Sequence, residues 1–294
     1  MLEFHPVSLA DREPIKQKLT LEPRQGCEYA FGNIFSYSAK YPIFVAETGG
    51  CFLTKCVVKD MDYYCFPVGG DKEIAVREMI ETIKQSNRKY EVYGMTAADA
   101  AILEAAFPGR FPIAPERDSF DYVYLREDLV SLAGKKYQSK RNHIAFFTRN
   151  YRWSYERITP ATIPECIAMS EQWLENNKNE YHDDLVEEFA MIKKAFANYE
   201  DLGLIGGLLR VDGQVVAYTM GEPVTDEMFC IHIEKAFADV RGAYPMINQT
   251  FVREELSAYR YINREDDVGH ENLRRAKLSY HPAFFVEKYE MRNV

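Results

Sequence analysis

Hydrophobic and polar positions follow two different periods along this chain, and these periods predict where strands and helices form. Alternation of apolar and polar residues predicts strands, and apolar residues three and four positions apart predict helices. In the first half the order is a strand, two helices, three strands, a helix, a strand, a helix and a strand. The Gly49-Gly50 turn opens the three-strand meander, and Asp71 caps the helix that follows it. A strand over Phe120–Leu125 closes this half.

The second half repeats this order of elements. It begins with a strand over Trp153–Arg157, followed by two amphipathic helices. A hairpin turns at Asp212-Gly213, which is a favoured two-residue turn, and Met228–Lys235 forms the third strand of the meander. A helix then starts at about Met246, and Phe284–Met291 is the last strand. The repeated order predicts one mixed α/β unit that is present twice.

The domain organisation follows from this repeat. At 294 residues the chain is long enough for two domains of ordinary size. We predict an N-terminal domain over residues 1–128 and a C-terminal domain over residues 151–294. A basic connecting segment with a central helix, residues 129–150, joins the two.

Composition and charge restrict the functions that the chain can have. The net charge of −9 argues against a protein that binds duplex DNA through a basic surface. The six cysteines form no Cys-x-x-Cys pair, and no histidine lies at zinc-finger spacing, so we predict buried thiols in a reducing cytosol and no metal site. No apolar run is long enough to span a membrane. We therefore expect a soluble, cytoplasmic protein.

The region around the connecting segment differs from the rest of the chain in its charge. No carboxylate lies between Asp128 and Glu156, although the interval contains six bases. A helix over Lys136–Thr148 would place Lys140 and Arg141 on the same face as Tyr137, Ile144 and Phe147. A buried positive charge needs a partner. That partner is either a phosphate or carboxylate ligand, or an acidic side chain of a neighbouring domain. The candidate ligand-binding residues here are Lys135, Lys136, Lys140, Arg141 and Asn142.

Four stretches of the sequence resemble a known family. They are YVYLREDLVSLAGKKYQSKRNHIAFF from Tyr122, HIEKA from His232, INREDDVG from Ile262 and LRRAKLSYHPAFFVEKY from Leu273. All four are similar to a bacterial family related to the C-terminal domain of phosphatidylglycerol lysyltransferases, and the element order is that of the GNAT-type acyl-CoA N-acyltransferase fold. The resemblance implies an α+β, or mixed α/β, chain of two tandem GNAT-like domains. The related lysyltransferases transfer an aminoacyl group from tRNA to a lipid head group.

The strand MFCIHIEK contains the candidate catalytic residues. Alternation places Cys230, His232 and Glu234 on one face of the strand. In GNAT-like enzymes this strand borders both the cofactor and the acceptor, so a carboxylate here can accept a proton from an attacking amine. Glu234 is the candidate base. His232 is either an alternative candidate for the base or the residue that orients Glu234. The structural alternative is that His232 is a hydrogen-bonded core residue and that Glu234 pairs with a base.

The loop FADVRGAYP lies where GNAT enzymes bind the pyrophosphate of coenzyme A. Those enzymes use a glycine-rich loop at a helix N-terminus, where backbone N–H groups hold the phosphates. Arg241 is present here, but Tyr244 and Met246 occupy the glycine positions. Side chains at these positions hinder a close approach of the backbone. This departure favours an aminoacyl donor, or no donor, over acyl-CoA.

The C-terminal run provides two further candidates. Lys277, Tyr280, Pro282 and Tyr289 match positions of the lysyltransferase family. Lys277 is a candidate to bind an acyl carbonyl or a phosphate, and Tyr280 lies on the same line of the helix. The alternative is that Lys277 pairs with an acid of the adjacent NREDDVG loop.

Two functions remain open from the sequence. The first is an aminoacyl- or acyltransferase that acts on an amine or a hydroxyl group, with acyl-CoA or aminoacyl-tRNA as the donor. The alternative is a non-catalytic GNAT-like protein that binds a small anionic metabolite or the end of a tRNA.

Overall fold

Two seven-stranded sheets form the framework in the computed structural model, which describes residues 2–178 and 182–293. The α-helices of these residues are α1 Arg12–Leu21, α2 Phe31–Tyr37, α3 Lys72–Ser86, α4 Ala97–Ala106, α5 Arg126–Ser131, α6 Gln138–Asn150, α7 Ile163–Asn176, α8 His182–Ala197, α9 Ala243–Glu255 and α10 Glu271–Leu278. The strands are β1 His5–Pro6, β2 Ile43–Thr48, β3 Cys51–Val58, β4 Met61–Cys65, β5 Lys89–Met95, β6 Ile113–Pro115, β7 Asp121–Leu125, β8 Trp153–Arg157, β9 Ile205–Val211, β10 Gln214–Thr225, β11 Met228–Ala236, β12 Tyr261–Asn263, β13 Phe284–Val286 and β14 Tyr289–Asn293.

The first sheet has the strand order β1-β2-β3-β4-β5-β14-β6. Its strands pair antiparallel except for β4 and β5, which are parallel. Leu53, Phe66, Met79 and Val92 are fully buried in the hydrophobic core of this sheet and its helix α3. The apolar spacing that predicted α3 therefore reflects its packing on the sheet.

The second sheet has the order β13-β7-β12-β11-β10-β9-β8. Strands β11 and β12 are parallel, and β8 to β11 form an antiparallel meander. Its core includes Leu209, Ala217 and Ile247, and Phe147 of α6 belongs to the same cluster. Tyr137 and Phe147 are both fully buried, so the apolar face predicted for the connecting helix is confirmed.

The closing strands differ from the sequence prediction. Phe284–Met291 was predicted as one strand, but this prediction is wrong: β13 and β14 are separate strands in different sheets. Strand β14 pairs with β5 in the first sheet, with Met291 opposite Val92. Strand β7, predicted to close the first half, pairs instead with β12 in the second sheet, with Tyr124 opposite Ile262. Local patterning identifies a strand but not its partner, because pairing is set by distant contacts.

Two compact units result from this strand exchange. The first unit contains the residues up to Asp121, Asp266–Gly269 and the residues from Phe285 onward, and the second contains Tyr122–Glu265 and His270–Phe284. The mixed α/β class is confirmed for both sheets. The boundaries proposed at residues 128 and 151 stay predictions.

Two helix boundaries need correction. Helix α9 starts at Ala243, three residues before the predicted Met246, because Gly242 adopts a φ of 92° and stands at its N-cap. Helix α10 starts at Glu271 rather than Asp267. Val268 and Gly269 have positive φ values, which a right-handed helix excludes.

All six cysteines lie in the described part of the chain, and no disulfide joins any of them there. Four of them are buried, and Cys27 and Cys56 are partly exposed. The prediction of buried thiols is therefore confirmed for four of the six cysteines.

Candidate functional site

Strand β11 places Glu234 in a polar network of the second unit. One carboxylate oxygen of Glu234 accepts a hydrogen bond from Nη2 of Arg264 at 2.8 Å, and the other accepts one from Nδ2 of Asn248 at 2.8 Å. Asn248 lies on α9, and Arg264 follows directly after β12. The side chains of Glu234 and Arg264 are only 11% and 12% exposed, so their ion pair is largely removed from water.

Arg264 is at the centre of this network. Its guanidinium lies 4.6 Å from the ring centroid of Tyr280 and 5.6 Å from that of Tyr124. Burial lowers the pKa of Arg264, but Glu234 and the two tyrosines raise it by more than this. The net shift is upward, so the side chain stays charged. Its Nη1 atom is buried without a hydrogen-bond partner. A charged donor left unpaired is costly in a folded protein, so this atom indicates a place for a ligand acceptor.

Lys140 of α6 reaches the same tyrosine. Its Nζ atom lies 3.9 Å from the ring centroid of Tyr280. The pKa of Lys140 is lowered to about 8. Burial is the largest cause, repulsion by Arg264 adds to it, and Glu234 opposes the shift. The site therefore has more positive charge than its single carboxylate balances.

Lys277 and Tyr280 enclose the network from the end of α10. The Nζ of Lys277 donates to the backbone oxygen of Arg264 at 2.6 Å. Tyr280 is buried, and its own backbone oxygen accepts from the hydroxyl of Tyr137 at 2.9 Å. The hydroxyl of Tyr124 in turn donates to the backbone oxygen of Lys277 at 2.8 Å. Four sequence candidates, Glu234, Lys140, Lys277 and Tyr280, thus meet around Arg264.

His232 belongs to a different set of contacts. Its Nε2 lies 3.1 Å from a carboxylate oxygen of Glu222, and its Nδ1 lies 2.8 Å from one of Glu265. Burial lowers the pKa of His232, but Cys230 and the two carboxylates raise it well above 6.5. Two carboxylate acceptors require two N–H donors, so the ring is an imidazolium. An imidazolium cannot accept a proton, and these contacts therefore favour the structural alternative for His232.

The other candidates of the connecting segment lie at the surface. Arg141 donates to the backbone oxygens of Leu132 and, at 2.7 Å, of Gly134, so it stabilises the loop that follows α5. Lys135 is exposed, and Lys136 lies 3.7 Å from Asp128.

Two further candidates also have local contacts. Asn142 is exposed and accepts a hydrogen bond from Gln138 at 2.8 Å. Arg241 is exposed and stacks over Phe146 at 4.3 Å. None of these contacts joins either residue to the network around Arg264.

The start of α9 is approached closely by α6. A Cβ added to Gly242 would lie 2.4 Å from the backbone oxygen of His143. Only a glycine permits this approach, since any side chain would collide with the backbone of α6. The side of Gly242 that faces α6 is therefore filled by protein and has no room for a pyrophosphate.

Three residues of the network were not predicted from the sequence. Arg264 lies within the INREDDVG stretch that carried the family resemblance, and this was the available signal. Tyr124 lies within the YVYLREDLV stretch and had the same signal. Asn248 gave no signal, because its neighbours come from distant parts of the chain.

A second buried lysine, in the first unit, has a different environment. The Nζ of Lys288 lies 2.7 Å from a carboxylate oxygen of Glu28, 2.7 Å from one of Asp121 and 3.5 Å from the sulfur of Cys27. Burial lowers the pKa of Lys288, but Asp121, Cys27 and Glu28 raise it well above 10.5. This ammonium is fully matched by carboxylates.

Within residues 2–178 and 182–293, we find no helix that combines the length and the apolar character needed to cross a membrane.

Comparison with known proteins places the chain among its relatives. The crystal structure of a conserved protein of unknown function from Bacteroides thetaiotaomicron VPI-5482 superimposes on this chain with a TM-score of 0.93. The two sequences are 37% identical, and the match covers 100% of both chains. A tandem GNAT protein from the clavulanic acid biosynthesis pathway superimposes with a TM-score of 0.53 and 12% identity, over 99% of this chain and 98% of that one. The latter likeness confirms the tandem GNAT-like fold alone.

Among curated sequences, an uncharacterized protein of Mycoplasmoides gallisepticum is 24% identical over 179 residues, which are 58% of this chain and 55% of that protein. The chain therefore spans about half the length of the curated relative that it matches. The family described as "Phosphatidylglycerol lysyltransferase, C-terminal" matches residues 19–292, which is nearly the whole chain. The protein belongs to the phosphatidylglycerol lysyltransferase C-terminal family.

Proposed function

We propose that the protein is an aminoacyltransferase, and that the network around Arg264 binds the anionic part of its donor. The acyl group would pass from an ester donor to an amine or hydroxyl acceptor. Family membership supports the reaction class, since the family takes its name from lysyltransferases. The contacts of the second unit support the place where the reaction would occur.

The position of two cations, Lys140 and Arg264, over the ring of Tyr280 is the observation that carries this proposal. Lys140 and Arg264 are cations close enough to repel each other, and burial weakens the screening by water. Glu234 is the carboxylate that opposes this repulsion, and both its oxygens are already engaged. An anion bound between Lys140 and the unpaired Nη1 of Arg264 would balance the excess charge.

This geometry suits acyl transfer in two ways. Attack on an ester carbonyl produces an oxyanion, and cations aimed at it lower the barrier. The attacking group must also lose a proton, which the leaving hydroxyl finally takes up. As an ammonium beside the bound anion, Lys140 can give a proton to the leaving hydroxyl and regain one from the attacking group. Glu234 then acts by holding Arg264 in place, and its assignment as the base stays a prediction.

An aminoacyl-tRNA donor fits the second unit better than acyl-CoA does. Helix α6 packs against Gly242 at the N-terminus of α9, which is the kind of helix end that holds the pyrophosphate in a GNAT enzyme. The bulky Tyr244 and Met246 stand where that loop carries glycines. An ester at the end of a tRNA does not need this loop, and exposed bases such as Lys135 and Arg241 are available for backbone phosphates.

A transfer assay tests the proposal. Lysyl-tRNA, alanyl-tRNA and acetyl-CoA serve as labelled donors, with small primary amines and phosphatidylglycerol vesicles as acceptors. We expect transfer from an aminoacyl-tRNA, and a loss of at least about 100-fold in rate for Lys140→Met. Lys136→Met is the matched control, since it removes a lysine that is only four positions away and exposed. Full activity of Lys140→Met would refute this site.

One observation favours the non-catalytic alternative. Both carboxylate oxygens of Glu234 are hydrogen-bonded, so the carboxylate is better placed to hold Arg264 than to accept a proton. A binding protein would retain phosphate-dependent binding that requires Lys140 but would show no transfer with any donor. The same set of variants, examined by equilibrium binding of tRNA and of phosphorylated metabolites, separates these two outcomes.

A further inference from the structure

We propose that Cys230, His232 and Glu265 form a binding site for a zinc-class divalent cation in the second unit. The sequence did not predict a metal site, because these residues lie outside any zinc-finger spacing. The inference does not depend on the proposed function.

The three donor atoms lie at distances that a single cation can bridge. The sulfur of Cys230, a ring nitrogen of His232 and a carboxylate oxygen of Glu265 are all within 4.8 Å of one another. The sulfur is 3.9 Å from the oxygen, and Nδ1 is 2.8 Å from it. A tetrahedral zinc ion separates sulfur and oxygen ligands by about 3.5 Å and nitrogen and oxygen ligands by about 3.3 Å. Shifts of about half an ångström would therefore complete the site.

Glu222 provides the outer contact that histidine ligands of zinc usually make. Its carboxylate oxygen lies 3.1 Å from Nε2 of His232. A hydrogen bond from Nε2–H to this carboxylate directs the lone pair of Nδ1 toward Cys230 and Glu265. Such carboxylate–histidine pairs fix the orientation of the ring and strengthen it as a ligand. The cation would take the place of the proton that Nδ1 shares with Glu265.

The backbone of Glu265 is held in an uncommon conformation that keeps its carboxylate in this position. Its φ is 58°, in the left-handed region that side chains disfavour. Its N–H donates to the side chain of Asn263 at 2.7 Å, and its backbone oxygen accepts from Tyr122 at 3.0 Å. Strained residues held by such contacts occur often at functional sites.

The donor set indicates the class of cation. A thiolate, an imidazole and a carboxylate suit zinc or cobalt, whereas magnesium and calcium prefer oxygen ligands alone. Three protein ligands leave a fourth position for water or a substrate, as in catalytic zinc sites.

The first unit contains a matched group that provides the control. Cys27, Glu28 and Asp121 also bring a thiol and two carboxylates within 4.8 Å of one another. There the ammonium of Lys288 already lies 2.7 Å from both carboxylates. We therefore assign the cation site to the His232 group and not to this one.

Titration of the metal-free, full-length protein with Co²⁺ tests the site. We expect one equivalent to bind, with a thiolate-to-cobalt charge-transfer band in the near ultraviolet, and Zn²⁺ to displace it. Cys230→Ser should abolish the band. Glu222→Gln should keep the band and weaken binding by about 10- to 100-fold. Cys27→Ser should change neither the band nor the affinity.

Three outcomes would overturn the proposal: a wild-type protein that gives no charge-transfer band, a band that survives Cys230→Ser, and a band lost in Cys27→Ser. Thermal unfolding of each metal-free variant shows whether it is folded. Cys230→Ala replaces the serine variant if that protein does not fold.

Discussion

Lys288, a buried lysine of the first unit, and Lys140, a partly buried lysine of the second, have pKa values that shift in opposite directions. Two carboxylates lie 2.7 Å from the ammonium of Lys288, and its pKa rises. Lys140 has the guanidinium of Arg264 as a close neighbour, and its pKa falls to about 8. Both side chains lose contact with water, so burial alone does not explain the difference. The sign of the surrounding charge determines it.

This difference separates a structural ion pair from a candidate ligand site. A lysine whose charge is matched inside the fold already has its partners. A lysine beside a second cation, and beside an arginine with an unpaired donor, lacks a counter-charge that a ligand can supply. Three variants and one labelling experiment make this comparison testable.

The largest effect is expected for Lys288→Met. The change leaves Glu28 and Asp121 buried without their cation, which should lower the free energy of unfolding by about 3–5 kcal/mol. Urea denaturation of the purified variant measures this loss. Adding Glu28→Gln and Asp121→Asn to the same protein should recover much of it. A loss below about 1 kcal/mol would show that the network is not structural.

Lys140→Met should have the opposite effect on stability. The variant removes a charge that burial and Arg264 disfavour, so we expect unfolding to cost up to about 1 kcal/mol more near neutral pH. The gain should depend on pH. The pKa of Lys140 is about 8 when folded and 10.5 when unfolded, so between these values the unfolded chain binds more protons. The stability of the wild-type protein therefore rises with pH across this range. The stability advantage of Lys140→Met over the wild type should shrink accordingly and vanish at the alkaline end.

Urea denaturation of both proteins from neutral to alkaline pH measures the effect. A variant that is less stable than the wild type at every pH would show that the contact of Lys140 with Tyr280 outweighs the repulsion.

The reactivity of Lys140 should show the same lowered pKa. With a pKa of about 8, about one Lys140 side chain in ten is neutral at pH 7, far more than for an ordinary lysine. We expect an amine-specific acylating reagent to modify it at least about tenfold faster than exposed Lys136. Mass spectrometry of peptides at increasing times gives both rates. Equal rates would contradict the lowered pKa.

Arg141→Ala should have the smallest effect. The loss of bonds to the backbone oxygens of Leu132 and Gly134 should destabilise the protein by about 1 kcal/mol. The transfer rate and phosphate binding should stay unchanged, because these contacts direct Arg141 away from the network around Arg264. A loss of binding with normal stability would restore the sequence hypothesis for this residue.

The sequence predicted the elements well, because hydrophobic periodicity is a local property. Alternation in MFCIHIEK identified strand β11, and helical spacing predicted that Lys140 shares a face with Tyr137, which is buried. The sequence could not show that Arg264 would meet Glu234, because that contact depends on the parallel pairing of β11 with β12. For the same reason, the sequence could not show that β7 belongs to the second sheet and β14 to the first.

The exchanged strands have a consequence for synthesis of the protein. The first sheet needs β14, whose Met291 pairs with Val92 about 200 positions earlier. A ribosome must therefore translate β14 before this sheet can be completed, and until then β5 exposes an open edge. Open edges promote aggregation. Completion of the first sheet is thus postponed until β14 has been synthesised, and β5 is an aggregation-prone edge during that interval.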